Sequence, residues 1–304
     1  MSTSGSAPSA RGYVAAIGAY TLWGLFPAFW QAMSPAGSVE VLAHRIAWTL
    51  VLMALVAGAA GRWGALRGLS RRTWLQIMAA SVLIAVNWGV YIWAASHGRV
   101  VDSALGYYIQ PLFIVLLGVV VLGERLRPGQ WAAIGVAGVA VVVLAVGTGT
   151  FPWVGLVLAT AFALYGLIKK TVPLDPVPGL VAEGFALGPV AIAYLVVLQV
   201  VGTGTVLAHG AGHAMLLVAT GPATAIPLLL FAVGAKHLTL TALGVLQYLN
   251  PTLQFVLGVV VQGEPMPPAR WVGFALVWLA LAVFTADALL ARRTRAAQPV
   301  RSTV

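Results

Sequence analysis

The chain contains ten apolar stretches of about the length that a membrane-spanning helix requires, and this feature constrains the fold more than any other. A transmembrane helix needs roughly 20 predominantly apolar residues to cross the hydrocarbon core. Only 8% of the residues are charged, whereas soluble domains carry about 25%. The stretches cover residues 13–32, 39–59, 73–96, 103–122, 131–147, 153–168, 177–201, 214–235, 241–262 and 271–290. The sequence therefore predicts an all-α integral membrane protein of ten transmembrane helices.

The basic residues between these stretches predict the orientation of the chain. With a cytoplasmic N-terminus, all but three of the 17 Lys and Arg residues lie on the cytoplasmic side. The exceptions are Arg45, Arg99 and Arg270. Because cytoplasmic loops are enriched in Lys and Arg, we predict a multi-pass protein of the inner (plasma) membrane. Both termini would be cytoplasmic, as a tail over residues 1–11 and a basic tail over 291–304. This topology explains the net charge of +10 without nucleic-acid binding.

The second half of the chain repeats the first after a shift of about 140 positions. The shift places Tyr108 on Tyr248, Pro111 on Pro251, Gly123-Glu124 on Gly263-Glu264, Trp131 on Trp271, Tyr91 on Phe231 and, at nearly the same spacing, Trp23-Gly24 on Tyr165-Gly166. We therefore predict two five-helix repeats, over residues 12–148 and 149–290. Because five is odd, the second repeat would enter the membrane from the opposite side. Inverted repeats of this kind recur in secondary transporters, which bind substrate near the midplane between the halves.

The ordered set of motifs resembles the EamA domains of the drug/metabolite transporter superfamily and, in its finer marks, the RarD subgroup. The marks are His44-Arg45, Asn87-Trp88, Leu105-Gly106-Tyr107-Tyr108 leading to Pro111, Gly123-Glu124-Arg125, Tyr165-Gly166 before Lys169-Lys170, and Leu249-Asn250-Pro251. One departure is Gln110, where the pattern has Asn, although Gln keeps the amide. The resemblance implies a ten-helix permease. Members are named for sensitivity to chloramphenicol, which does not identify the transported substrate.

A proline lies within the fourth stretch, at Pro111, and within the ninth, at Pro251. Proline cannot bond to the carbonyl group four residues earlier, so we predict that each helix breaks beside an amide side chain. The two broken helices would form walls of the substrate site. The alternative is a structural kink whose amides bond a neighbouring helix. The predicted substrate-binding residues of these two helices are Tyr107, Gln110, Pro111, Gln247, Tyr248, Asn250 and Pro251.

Two further candidates lie near the middle of the third stretch, at Asn87 and Trp88. The amide offers two donors and an acceptor, and the indole offers a flat apolar face with one donor. Together they suit an amphipathic ligand, and the alternative is a clasp between helices. The tyrosines near helix ends have an alternative role as anchors at the membrane interface.

Ionisable groups near the start of two stretches are candidates for proton coupling. Glu40 and His44 share one face of the second helix because they are four residues apart, and Glu183 lies similarly in the seventh. A buried carboxylate or an imidazole is able to carry a proton. The alternative is a salt bridge between Glu40 and Arg45 that fixes helix packing, which gives Arg45 a structural role.

Four residues in the repeated turns are assigned structural roles: Gly123, Glu124, Gly263 and Glu264. No cofactor is expected, since the sequence contains no phosphate-binding loop of the Walker type. No metal is expected, since the chain has no cysteine for a thiolate site and His97 and His237 have no second ligand at useful spacing. The expected partners are a small-molecule substrate and membrane lipid. The pair Gly184 and Gly188 suits close packing within the bundle or in a homodimer, and we favour the former.

The sequence predicts a secondary active transporter, an exporter or exchanger of a small amphipathic organic molecule that works by alternating access. Proton coupling is part of this hypothesis. One alternative is a channel or lipid scramblase, although the sequence lacks the rings of charge that line many ion pores. Another is a membrane enzyme acting on lipid, but the acidic residues and histidines are scattered. The transporter, and not an enzyme, is therefore favoured.

Overall fold

The computed structural model describes residues 10–123 and 126–296, and the regular structure in these ranges is helical throughout. The elements are α1 (Ala10–Gln31), α2 (Ser38–Ala59), a 3₁₀ turn (Trp63–Leu66), α3 (Arg71–Ser96), α4 (Val100–Leu122), α5 (Pro128–Thr148), α6 (Trp153–Lys169), α7 (Pro176–Val201), α8 (Gly210–His237), α9 (Leu240–Leu246), α10 (Leu249–Val256), a π-helical turn (Leu257–Val261) and α11 (Pro268–Ala296).

Nine segments of the described chain are long and apolar enough to cross a membrane. One of them, Ala242–Val261, combines α9, α10 and the π-helical turn, and we call it the ninth span. The tenth apolar helix, α6, has 17 residues and is about 25 Å long, slightly less than the hydrocarbon thickness of about 30 Å. The predicted all-α membrane fold is confirmed, with one of its ten helices short.

Two of the predicted turn residues have the backbone conformation that a sharp helix end requires. Gly123 follows α4 with φ of 66°, and Gly263 follows the ninth span with φ of 64°. Residues with a side chain rarely adopt this left-handed conformation, whereas glycine adopts it readily. Glu124, the third predicted turn residue, lies outside the described residues.

The helices pack in pairs that follow the predicted repeats. α1 packs along α8, and α3 packs along α6. In the predicted repeats α1 is equivalent to α6 and α3 to α8, so exchanging the repeats converts the first pair into the second. α2 packs against α7 and α5 against α11, and the same exchange returns each of these pairs to itself. The packing is therefore compatible with a ten-helix inverted repeat whose halves are interleaved.

Glu264 joins the two predicted repeats at one end of the bundle. Its carboxylate accepts hydrogen bonds from the backbone N–H groups of Val100, at 2.5 Å, and Val101, at 3.1 Å. A carboxylate is stabilised at a helix N-terminus because unpaired N–H groups and the helix dipole are positive there. Arg270 strengthens the junction by donating to Asp102 at 2.9 Å. The loop before α11 is thereby fixed to the start of α4.

α4 and α6 approach each other closely where two glycines face one another. A Cβ atom added to Gly106 would lie 2.8 Å from the carbonyl oxygen of Gly155. Small residues at such crossings let helix backbones approach in membranes, where close packing is a main source of association. Gly138 in α5 has no neighbouring atom within 4 Å of the corresponding position.

We therefore expect Gly106→Val to lower the thermal stability of the detergent-purified protein, because the added side chain forces α4 and α6 apart. Overpacking of this kind destabilises by about 1–3 kcal/mol. Gly138→Val is the matched control and should unfold within about a degree of the parent, since substitutions at exposed positions usually change stability by no more than about 0.5 kcal/mol either way. Equal unfolding temperatures for the two variants would contradict the described helix crossing.

The topology has a direct test because the chain has no cysteine of its own. Leu207, in the loop after α7, is 81% exposed, and Ala65 is exposed in the turn after α2. We expect a membrane-impermeant maleimide to label Leu207→Cys in intact cells and Ala65→Cys only after the membrane is opened. The opposite labelling pattern would reverse the predicted orientation, and labelling of both in intact cells would contradict the alternation of the loops.

Candidate functional site

A cavity of about 340 Å³ lies inside the bundle and is lined by helices from both predicted repeats. Its volume is within the range of small-molecule pockets, about 300–1,000 Å³. Seven of the nine predicted substrate-binding residues line it, whereas Pro111 and Tyr248 do not. The seven are Asn87, Trp88, Tyr107, Gln110, Gln247, Asn250 and Pro251.

The ninth span is interrupted beside this cavity, as the sequence predicts. α9 ends at Leu246 and α10 begins at Leu249, because Pro251 has no N–H group to continue the helical bonding. The carbonyl group of Gln247 is nevertheless not free. It accepts a hydrogen bond from the N–H group of Asn250, three residues later, at 3.2 Å, which makes a tighter turn than the α-helix.

The matching prediction for α4 is wrong, because α4 continues through Pro111 without interruption. Proline removes one backbone bond, and a membrane helix tolerates this loss where neighbouring helices satisfy the freed groups. α4 packs against α6, α10 and α11, which surround it along its length. The two related prolines thus have different effects, and only one broken helix borders the cavity.

Side-chain amides follow the interruption. Gln254 is 1% exposed, and its Nε2 donates to Oδ1 of Asn250 at 2.6 Å. The other polar atom of Gln254, Oε1, is buried and has no hydrogen-bond partner among the described residues. Because a buried polar atom is normally paired, this oxygen is an acceptor left for a group inside the cavity.

Asn87 connects three helices at the cavity wall. Its Nδ2 donates to the carbonyl oxygen of Leu158 at 2.9 Å, and its Oδ1 accepts from the Tyr107 hydroxyl at 3.4 Å. The side chain therefore forms the interhelical clasp that was the alternative to a binding role, while still lining the cavity.

Much of the cavity wall is aromatic, and most of these residues were not predicted from the sequence. Nine of the described lining residues are aromatic. The seven beyond Trp88 and Tyr107 are Tyr20, Trp23, Phe26, Tyr91, Phe162, Tyr165 and Phe231. The repeat itself carried a signal for several of them, because it aligns Trp23 with Tyr165 and Tyr91 with Phe231.

The lining positions are largely equivalent between the two repeats. A constant shift of 140 residues relates five pairs of them, and a shift of 142 relates two more. The pairs are Ile84 with Thr224, Trp88 with Leu228, Tyr91 with Phe231, Tyr107 with Gln247, Gln110 with Asn250, Tyr20 with Phe162 and Trp23 with Tyr165. Equivalent positions of the two halves therefore face one shared cavity, although the side chains at them differ.

Arg45, to which the sequence assigned a structural role, also lines the cavity. Its Nε donates to the Thr224 hydroxyl at 3.0 Å, and its guanidinium carbon lies 3.9 Å from the centre of a ring of Trp88. It is 3% exposed, and Nη1 is buried without a hydrogen-bond partner in the described chain. The alternative of a salt bridge with Glu40 is not realised, since that carboxylate has other partners.

Glu40 and His44 lie away from the cavity lining. Glu40 accepts hydrogen bonds from the backbone N–H of Thr205, at 2.7 Å, and from its hydroxyl, at 3.0 Å. That hydroxyl also lies 2.8 Å from Nε2 of His213. His44 is buried, and neither ring nitrogen has a hydrogen-bond partner among the described residues. Glu40 thus holds the loop after α7 against the start of α2.

Glu183 lies beside the cavity and forms a partly buried ion pair that the sequence did not predict. Lys169, in the last turn of α6, donates to its carboxylate. The Tyr165 hydroxyl also donates to it, at 3.3 Å, and Tyr165 lines the cavity. The carboxylate of Glu183 is therefore separated from the cavity by one side chain, that of Tyr165.

Comparisons with known proteins agree with this architecture. Residues 10–146 match the model of the EamA-like transporter family. Protein RarD of Streptomyces exfoliatus is 50% identical over 289 residues, which cover 94% of this chain and 91% of that protein. An uncharacterized transporter of Pseudomonas aeruginosa is 40% identical over 281 residues, covering 91% of this chain and 94% of the relative.

A crystal structure with 24% sequence identity matches 93% of this chain and 98% of its own, with a TM-score of 0.57. At this identity the likeness shows the fold alone. The sequence relatives are much closer and extend over nearly the whole chain, so the resemblance inferred from the motifs is confirmed. The chain belongs to the EamA-like transporter family and, within it, to the RarD-type permeases.

Proposed function

We propose that this permease is a secondary active transporter, an exporter or exchanger of a small amphipathic organic molecule, that works by alternating access. The observation that carries the proposal is the shared cavity whose lining positions are equivalent between the two repeats. Two interleaved halves of this kind are able to open the cavity to either side by exchanging conformations.

The chemistry of the wall supports an amphipathic substrate. Aromatic rings supply large apolar contact surfaces with specific preferred geometries, and the amides of Gln110, Asn250 and Gln254 supply polar contacts among them. A volume of about 340 Å³ lies at the lower end of the range for drug-sized ligands. A small solute fits these properties better than a membrane lipid with two acyl chains.

We propose that Glu183 couples transport to protons. Protonation would remove the negative charge that Lys169 pairs with and would weaken the hydrogen bond from Tyr165, so the cavity wall would respond to the proton. Ionisable groups within membrane spans are costly to keep and frequently belong to proton relays. Glu40 and His44 are the second candidates, at the end of the bundle where α2 begins.

We expect purified protein in liposomes to exchange members of a panel of small amphipathic compounds, including chloramphenicol and amino acids, in a saturable counterflow assay. Asn250→Ala should lower the rate about tenfold, because it removes an amide from the cavity wall and leaves Gln254 without its partner. Gln76→Ala is the matched control, since Gln76 is a half-buried amide of α3 that bonds to Thr171 and does not line the cavity. Flux that rises linearly with concentration would favour the channel or scramblase alternative.

The coupling proposal predicts a separation of two activities in Glu183→Gln. Transport driven by a pH gradient should fall to the background rate, because the amide cannot take up the proton, while counterflow without a gradient should persist. Asp175→Asn is the control, since Asp175 is an exposed carboxylate paired with Arg62 at 2.5 Å. Unchanged pH-driven transport in Glu183→Gln would refute the role assigned to this residue.

A further inference from the structure

We infer that the substrate of this cavity carries an anionic group, of the carboxylate type, that binds to Arg45. The inference rests on the proposed transport function, because it names the chemical class of the molecule that the cavity accepts. It also departs from the expectation drawn from composition, because abundant Trp and Tyr with few fixed charges favour an uncharged or zwitterionic amphipathic substrate.

Arg45 is the one residue with a full charge among the described residues that line the cavity. Arginine remains protonated in proteins, because its pKa exceeds about 12 in water, and at 3% exposure the charge has little access to solvent. A buried charge is strongly unfavourable unless another charge compensates it. The positive charge of Arg45 is therefore not compensated by any described residue that lines the cavity.

The groups that contact Arg45 orient it without neutralising it. Thr224 accepts from Nε, while its own hydroxyl proton goes to the carbonyl oxygen of Thr220 at 2.8 Å. The rings of Trp88 and Trp30 lie 3.9 and 5.1 Å from the guanidinium carbon, and cation–π contacts stabilise a cation only partly. Nη1 has no partner in the described chain, and it is suited to a carboxylate, which guanidinium groups bind through parallel hydrogen bonds.

The two glutamates considered for proton coupling bind other partners. Glu40 binds Thr205, and Glu183 binds Lys169. Within the described residues, no carboxylate oxygen lies within 4.0 Å of the Arg45 side chain. If Arg45 served only packing, an apolar residue in its place would leave the stability of the fold unchanged or raise it. A role in binding an anionic ligand explains why a buried arginine has no acidic partner.

The rest of the cavity indicates what accompanies the anionic group. Tyr20, Trp23 and Phe231 form contacting aromatic pairs, with ring centres 5.6 to 6.0 Å apart, and they suit an aromatic or other flat apolar body. The unpaired Oε1 of Gln254 is an acceptor for an N–H or O–H group. An aromatic carboxylate with one such donor, for example an indole acid or an N-acylated aromatic amino acid, satisfies all three features.

The test uses matched pairs in which a carboxamide replaces the carboxylate and removes its charge: indole-3-acetate with indole-3-acetamide, phenylacetate with phenylacetamide, and N-acetyltryptophan with its carboxamide. Binding is measured as the ligand-dependent rise in unfolding temperature of the detergent-purified full chain. We expect the carboxylates to bind more tightly than the amides. Arg45→Gln should weaken carboxylate binding roughly 10- to 100-fold, as expected for the loss of hydrogen bonds to a charged group, and should leave the amides unaffected.

Two further variants separate a binding role from a packing role. Arg45→Lys keeps the charge and should restore part of the carboxylate preference, whereas Arg67→Gln removes an exposed charge from the turn after α2 and should change nothing. Without ligand, Arg45→Gln should unfold at the same temperature as the parent or higher. A large drop in that temperature, together with an intact preference for carboxylates, would assign Arg45 to packing and overturn the inference.

The remaining outcomes distinguish this inference from the proposed function. Equal binding of acids and amides, or binding of neither, would overturn the anionic class. Saturable counterflow of neutral compounds that depends on Asn250 would then leave the transport proposal standing. Conversely, Arg45-dependent binding of carboxylates with no transport of them in either direction would support the anionic site and contradict the transporter mechanism.

Discussion

The structure depends on one constraint, which is that a backbone inside lipid must satisfy its own hydrogen bonds. Helices satisfy them automatically, and irregular backbone at membrane depth is tolerated only where protein or a wet cavity surrounds it. The interruption between α9 and α10 obeys this rule, because Gln247, Asn250 and Pro251 line the internal cavity. The unpaired atoms of Arg45 and Gln254 belong to residues that line the same cavity. Several features that lipid would penalise thus lie around one cavity.

The position of the cavity follows from the helix packing, which is compatible with two interleaved repeats. Because α1 packs along α8 and α3 along α6, the surface between the halves runs through the centre of the bundle and not along one side. Close approach of backbones, as at Gly106 and Gly155, keeps the helices near one another around it. The junctions at the ends, such as Glu264 on the start of α4, connect one repeat to the other. In the proposed mechanism, a movement of one half relative to the other would change the shape of the cavity.

The sequence was sufficient for the ten apolar stretches and for most of the proline and amide positions in the cavity wall, because each depends on local composition. The predicted repeat is compatible with the helix packing. The sequence was insufficient for α4, where packing from α6 and α11 keeps a proline-containing helix continuous. It also missed the surroundings of Arg45, because Trp88 and Thr224 are distant in sequence and come together only when α2, α3 and α8 pack. The pair of Lys169 and Glu183 was missed because the apolar pattern ends before Lys169, whereas α6 continues through it.

The two repeats contribute largely equivalent positions to the cavity lining, but among the described residues only the first repeat contributes a fully charged side chain. If the two halves were identical, the inward-facing and outward-facing states would have the same free energy, and a bound molecule would dissociate at the same rate on either side. Arg45 belongs to α2 and has no charged counterpart among the described lining residues of the second repeat. A molecule bound to Arg45 would keep its anionic group against the first repeat throughout the transport cycle. The two release steps would then have different rate constants, so that the affinity for the molecule would differ between the two sides of the membrane, while net transport would still require a gradient.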